Sequence, residues 1–254
     1  MTGFHVEVGE RSAVVTIDRP KANAIDAATS KALGDAFAGL DADPAVRAII
    51  LTGAGLKFFS AGWDLTADEE FDSDYGVGGF GGFPELPMRA TPVIAAVNGM
   101  AVGGGFEIAM AADLIIAADH AQFWLPEPAI GILPDAGAVK LPRLLPPHVA
   151  RDLLLTGRRM DAAEGHRWGL IAAVVPAAEL LQAAHDRADA IALSAPLSIA
   201  ALLDIERRTV HLSADEAMAS LKSLSSYRRA IDSEDAQEGQ AAFGERRSPI
   251  WKGR

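Results

Sequence analysis

From Pro92 to Ala112 the chain reads PVIAAVNGMAVGGGFEIAMAA. So much apolar surface has to be buried, because exposing it to water is unfavourable. A bilayer is not the place for it, since a transmembrane helix needs ~20 predominantly apolar residues. Here Asn98, four glycines and Glu107 interrupt the run. A buried strand over Pro92–Val97, a tight turn and a helix over Gly104–Ala112 fit the pattern. Glu107 then falls in the first turns of that helix, in surroundings that disfavour its charged form. A second glutamate, Glu127, follows twenty positions later in FWLPEPAIGILPDAG, residues 123–137. Its two flanking prolines restrict the backbone and favour a fixed carboxylate. A solvent-exposed turn acid is the alternative for a lone glutamate there. Two carboxylates in weakly charged stretches, both beside glycine-rich backbone, are candidates for acid/base chemistry.

The flanking segments set the fold class. FHVEV (4–8) and SAVVTID (12–18) alternate with period two and predict strands around a turn at Gly9–Arg11. Leu33, Phe37 and Leu40 recur at helical spacing and predict a helix over Ala27–Leu40. Ala48–Thr52 and Leu114–Ala117 are short apolar runs of the kind found in buried strands. Strands alternating with helices predict an α/β fold with parallel pairing. DEEFDSDYGVGGFGGFPEL (68–86) has no regular period and predicts a mobile, lid-like loop. Its aromatics Phe71, Tyr75, Phe80 and Phe83 either order that loop or line a pocket. From about Leu180 onward the pattern is helical only. The expected organisation is a core over residues 1–195 and a helical assembly region over 196–254.

Charge and composition exclude several functions. The formal net charge of −11, with no Lys/Arg-rich patch, speaks against a nucleic-acid partner. There are no cysteines, so thiolate nucleophiles, disulfides and cysteine metal sites are ruled out. The charged, alternating first twenty residues do not read as a secretory signal, and a cytoplasmic location is expected. The six histidines show no H-E-x-x-H or other metal spacing. Asp72-Ser-Asp74 begins like a calcium loop, but Gly76 and Phe83 stand where ligands are required. No G-x-S-x-G elbow and no G-x-G-x-x-G fingerprint occurs at the glycine-rich turn, which disfavours a serine hydrolase and a dinucleotide-dependent oxidoreductase.

Two glycine-rich turns remain. Gly103–Gly105 lead into the helix bearing Glu107, and helix N-termini present N–H groups that favour negative charge. KFFSAGWDL (57–65) follows the predicted strand at Ala48–Thr52 and places small residues at Ser60–Gly62. Either turn can bring backbone N–H donors close to a developing oxyanion. Each is equally compatible with an ordinary strand connection that holds no ligand.

Three motifs in order, FSAGWDL (59–65), PVIAAVNGMAVGGGFEIAMAAD (92–113) and FWLPEPAIGILPDAG (123–137), resemble the crotonase (enoyl-CoA hydratase/isomerase) superfamily. The resemblance extends from about Phe4 to the C-terminus. Stretches such as ILPDAGAVKLPRLLPP (132–147), SAPLSIAAL (194–202) and the tail from Ser233 are similar to its carnitinyl-CoA dehydratase branch. The resemblance implies a crotonase-like spiral of β-β-α units with a C-terminal helical trimerisation region, assembled as a homotrimer or a homohexamer. It implies a hydro-lyase that adds or removes water across the 2,3 bond of an acyl-CoA thioester. Glu107 and Glu127 would be the catalytic pair. The backbone N–H groups of Trp63 and Gly104 would form the oxyanion hole. Lys21, Ala22, Ala61, Asp64 and Leu65 would contact CoA, which arrives as part of the substrate. No metal, redox cofactor or membrane partner is implied. The Δ3-Δ2 enoyl-CoA isomerases of the superfamily, which often manage with one carboxylate, and a non-catalytic acyl-CoA-binding protein are the rivals. Trp63, Phe83 and Trp124 are the aromatic side chains expected to face a trimethylammonium group.

Overall fold

The computed structural model describes residues 3–70, 73–86 and 89–254; Phe71 and Asp72, named above, lie outside the described residues. In chain order the strands and helices are β1 (Phe4–Val8), β2 (Ser12–Ile17), α1 (Ala27–Ala42), β3 (Ala48–Gly53), β4 (Phe58–Ser60), β5 (Val93–Val97), β6 (Met100–Val102), α2 (Gly104–Ala111), β7 (Leu114–Ala118) and β8 (Gln122–Trp124). There follow α3 (Asp135–Leu144), α4 (Pro147–Thr156), β9 (Met160–Asp161), α5 (Ala162–Arg167), β10 (Ala173–Val175), α6 (Leu180–Ala192), α7 (Pro196–Thr209), α8 (Ala214–Leu221), α9 (Ser225–Ile231) and α10 (Glu234–Glu245).

The strands form two sheets. One has the order β1-β2-β3-β5-β7-β10 and the other β4-β6-β8-β9. From β2 to β10 every pairing in the first sheet is parallel, as is β4-β6-β8 in the second. Successive turns of chain, β3-β4, β5-β6-α2 and β7-β8-α3, each give one strand to each sheet. This is the expected spiral of β-β-α units. Parallel strands buried on both faces read as continuous apolar runs, and β3 and β5 are buried at every residue. One face of the first sheet packs on Phe37, Phe59, Phe106 and Phe123. The other is covered by α6 through Leu180, Ala184 and Ala188.

The stretch 68–86 contains neither helix nor strand among its described residues. Its second half is nevertheless anchored to α1. Phe83 is 2% exposed and its ring lies 4.7 Å from that of Phe37. Gly81 N–H donates to Ser30 Oγ at 3.0 Å. Part of the predicted lid therefore belongs to the core, because two phenylalanines bury more surface by packing together than by facing solvent.

The helices after Ser194 are tied to the rest at named points. Arg207 Nη1 donates to the Arg89 carbonyl at 3.0 Å, and Trp251 Nε1 to that of Leu193 at 2.8 Å. Asp235 is 1% exposed and accepts N–H bonds from Lys252 and Gly253, which fastens the C-terminal tail. Among the described residues no single helix is long and apolar enough to cross a membrane.

Candidate active site

The two glutamates face one cleft. Glu107 projects from the first turn of α2. Glu127 opens a short 3-10 turn, Glu127–Ile130, directly after Pro126. Local sequence explains both placements. Gly103 caps α2 with φ +55°, a left-handed value that favours glycine. A Cβ there would lie 2.4 Å from Glu127 Oε1, so the same glycine makes room for the second carboxylate. The structure thus couples the glycine-rich turn to the Pro-Glu-Pro turn.

Their environments differ. Glu107 Oε1 accepts the Gly137 N–H at 2.7 Å, from the first turns of α3. Burial pushes its pKa up, and that N–H opposes the shift. Glu127 is 7% exposed, and its Oε2 is buried without a hydrogen-bond partner. Burial pushes its carboxyl up to about 7; its own backbone N–H opposes the shift and the Glu107 charge adds to it. Glu127 is therefore the carboxyl suited to hold a proton near neutral pH, while the Gly137 N–H favours the charged form of Glu107. The pair titrates as a unit, because each charge alters the other's affinity for a proton.

Trp63 and Gly104 line the same cleft. Gly62, at φ +81°, lets their segments meet: a Cβ on it would lie 2.7 Å from Gly104 N. Gly104 is the first residue of α2, where backbone N–H groups have no acceptor within the helix. The helix dipole at that end favours negative charge.

Ala61 and Leu65 also line the cleft. Lys21 and Ala22 lie in a separate shallow depression with Leu56 and Lys57. The two segments are hydrogen-bonded together: Ala61 N–H to the Ala22 carbonyl at 2.9 Å, Ile25 N–H to Gly62 at 2.8 Å, and Asp64 N–H to Ile25 at 3.0 Å. Lys21 has φ +78°, part of the tight bend that makes this approach. Asp64 turns toward Arg19, 3.6 Å away.

The aromatic expectations need correction. Phe83 is packed in the core against Phe37, with Arg89 over its ring at 5.9 Å. Trp124 carries Arg159 over its ring at 4.4 Å. Neither lines the cleft; Tyr75 and Phe80 do, with Trp63. Strand β8 directs Phe123 into the core against Phe106, and alternation along a strand turns its neighbour Trp124 to the opposite face.

The motifs did not single out the Gly137 N–H. The small residues following Pro134 were its available signal. They also missed the charges behind Glu107. Arg89, 8% exposed, forms a two-point ion pair with Asp113 at the end of α2. Asp113 also lies 3.7 Å from Arg207 of α7. Lys140 on α3 is half-buried near this group; burial lowers its pKa, as do the Arg89 and Arg207 charges.

Comparison with known proteins agrees with this architecture. Residues 7–254 match the enoyl-CoA hydratase/isomerase family profile. The carnitinyl-CoA dehydratase of Proteus mirabilis (strain HI4320) is 53% identical over 246 residues, which span 94% of each chain. That of Salmonella arizonae is 54% identical over 245 residues, again 94% of each. The crystal structure of an enoyl-CoA hydratase from Mycobacterium tuberculosis H37Rv superposes with a TM-score of 0.92 at 38% identity, covering both chains fully.

Proposed function

The chain belongs to the enoyl-CoA hydratase/isomerase family, and from that premise we propose how its cleft adds water to, and removes it from, an enoyl-CoA thioester. The substrate pair is crotonobetainyl-CoA and carnitinyl-CoA. The observation that carries the mechanism is the pair of buried carboxylates with unlike surroundings in one cleft.

The N–H groups of Trp63 and Gly104 hold the thioester oxygen. They stabilise the enolate as negative charge builds there, and losing one such donor costs about 2.7–4 kcal/mol of transition-state stabilisation. Glu107, whose charged form the Gly137 N–H favours, takes a proton from water as its oxygen bonds to C3. Glu127, protonated near neutral pH, delivers its proton to C2. The pair's single proton then resides on Glu107, and exchange with solvent resets it. Dehydration runs the same steps backward, with an ionised Glu127 taking the C2 proton. Lys21, Ala22, Ala61, Asp64 and Leu65 line the path of the CoA portion, largely through main-chain contacts.

We propose that the protein assembles as a homotrimer or as a homohexamer, a dimer of trimers. Support comes from the apolar side chains its C-terminal helices leave in water: Leu202, Val210, Met218, Ile231 and Phe243 are each more than half exposed. Patches of this kind mark association surfaces. Light scattering on the purified protein measures the assembly, and a monomer at micromolar concentration would refute it.

The test of the reaction follows loss of enoyl-thioester absorbance with crotonobetainyl-CoA and crotonyl-CoA separately. Rapid loss that disappears in Glu127→Gln supports the mechanism. Near-normal hydration by Glu127→Gln refutes the two-carboxylate assignment. No loss with either substrate moves the double-bond isomerase and the binding protein to the front.

A further inference from the structure

The proposed hydration requires two carboxylates, but the cleft has four. Glu85 and Asp135 line it together with Glu107 and Glu127, and none of the lining residues is basic. The surplus is unfavourable for a neutral acyl group. The reaction develops an enolate, and nearby like charge disfavours it. Asp135 also pushes the Glu107 pKa further up. Among the described residues no hydrogen bond or ion pair occupies the Glu85 or Asp135 side chain. Asp135 does lie in the first turn of α3, where it favours the helix dipole, but that role does not require it to face the cleft. Glu127, more than nine-tenths buried, leaves Oε2 without a partner in the same space. The same lining includes Trp63, Tyr75 and Phe80, with Tyr75 and Phe80 edge to face at 5.4 Å. Aromatic faces beside carboxylates form a recognition site for a bulky organic cation with no N–H to donate.

We propose that Asp135 and Glu85, with Trp63, Tyr75 and Phe80, form a cation-selecting acyl subsite that sets the preference for an enoyl-CoA with a quaternary ammonium group on C4. The inference rests on the hydro-lyase reading above and assigns its acyl specificity to residues outside the reacting pair. A C4 cation lies one carbon beyond C3, where water adds, so it remains within the cleft that holds both glutamates. Its charge offsets the surplus carboxylates in both the bound state and the enolate.

Charge is separated from shape by comparing crotonobetainyl-CoA with its uncharged isostere, 5,5-dimethylhex-2-enoyl-CoA, and with crotonyl-CoA. The readout is the ratio of kcat/KM for the cation to that for the isostere. This ratio is independent of the active fraction of enzyme, and any effect on Glu107 common to both substrates cancels. The wild-type ratio is expected to be at least tenfold. Asp135→Asn and Glu85→Gln should each lower it several-fold, because screening by solvent leaves up to roughly a fivefold effect per exposed carboxylate. The double variant should bring it near one. A wild-type ratio near one, with crotonyl-CoA still hydrated, overturns the subsite and leaves the hydro-lyase reading intact. An unchanged ratio in the double variant overturns it too. Absence of turnover on all three substrates overturns both.

Discussion

Replacing Glu127 with Gln should shift the stability difference from wild type in the variant's favour as pH rises through neutrality, while abolishing hydration. The Glu127 carboxyl titrates at about 7 in the fold against an ordinary value of 4.5. That difference is worth about 3 kcal/mol at ~1.36 kcal/mol per pH unit. Because the folded-state pKa is raised, the fold favours the protonated form. Wild-type stability therefore falls as pH rises from about 4.5 to about 7, and the penalty is complete above that range. Glutamine does not ionise, so the variant escapes this loss. It does leave an amide where Oε2 has no partner, a penalty of roughly 1–3 kcal/mol, but one independent of pH. The measurement is thus the change in ΔΔG between pH 5 and pH 8, from urea unfolding at one fixed protomer concentration. Water in the cleft screens the charge, so 1–3 kcal/mol in favour of the variant is expected, or about 2–4 °C in Tm for each kcal/mol. A ΔΔG that does not change between the two pH values would refute the claim that burying the Glu127 charge destabilises the fold.

Three further outcomes follow from the same geometry. Hydration kcat/KM should fall above about pH 7, as the pair loses its one proton, and dehydration kcat/KM should fall in parallel, because both directions use the singly protonated pair and the equilibrium constant for adding water does not depend on pH; a flat hydration profile between about pH 6 and 9 would refute the one-proton assignment. Gly103→Ala forces a side chain into a left-handed conformation and sets its Cβ 2.4 Å from Glu127 Oε1, so kcat should drop about 10²-fold, the scale of a lost general acid, with the circular dichroism spectrum retained. Arg89→Ala strips the buried partner from Asp113 and should cost about 3–5 kcal/mol in urea unfolding; a loss below about 1 kcal/mol would show that Arg207 alone neutralises Asp113.

Local chemistry determined much of this protein before any coordinates. The run from Pro92 to Ala112 had to be buried, because its apolar surface needed a core while its glycines and Glu107 barred a membrane; its strand and helix were legible, but the strand β6 (Met100–Val102) between them was not. The period-two and apolar segments placed β1, β2, β3, β5 and β7 within a residue or two. The second sheet was not legible. Its strands β4, β6 and β8 have three residues each, too few to display a period, and they exist because distant turns of the spiral align them. The same long-range packing decided the site. Two glutamates in apolar stretches were visible as candidates, but only the folded chain buries Glu127 beside Glu107 and brings the Gly137 N–H to Glu107, and these give the two carboxyls their different proton affinities. Phe83 and Trp124 looked as available as Tyr75 and Phe80. Composition does not tell an aromatic side chain which face it will occupy, since the hydrophobic effect is non-directional. The pairing of Phe83 with Phe37 and the pleat at β8 made that choice, and so determined which rings face the cleft.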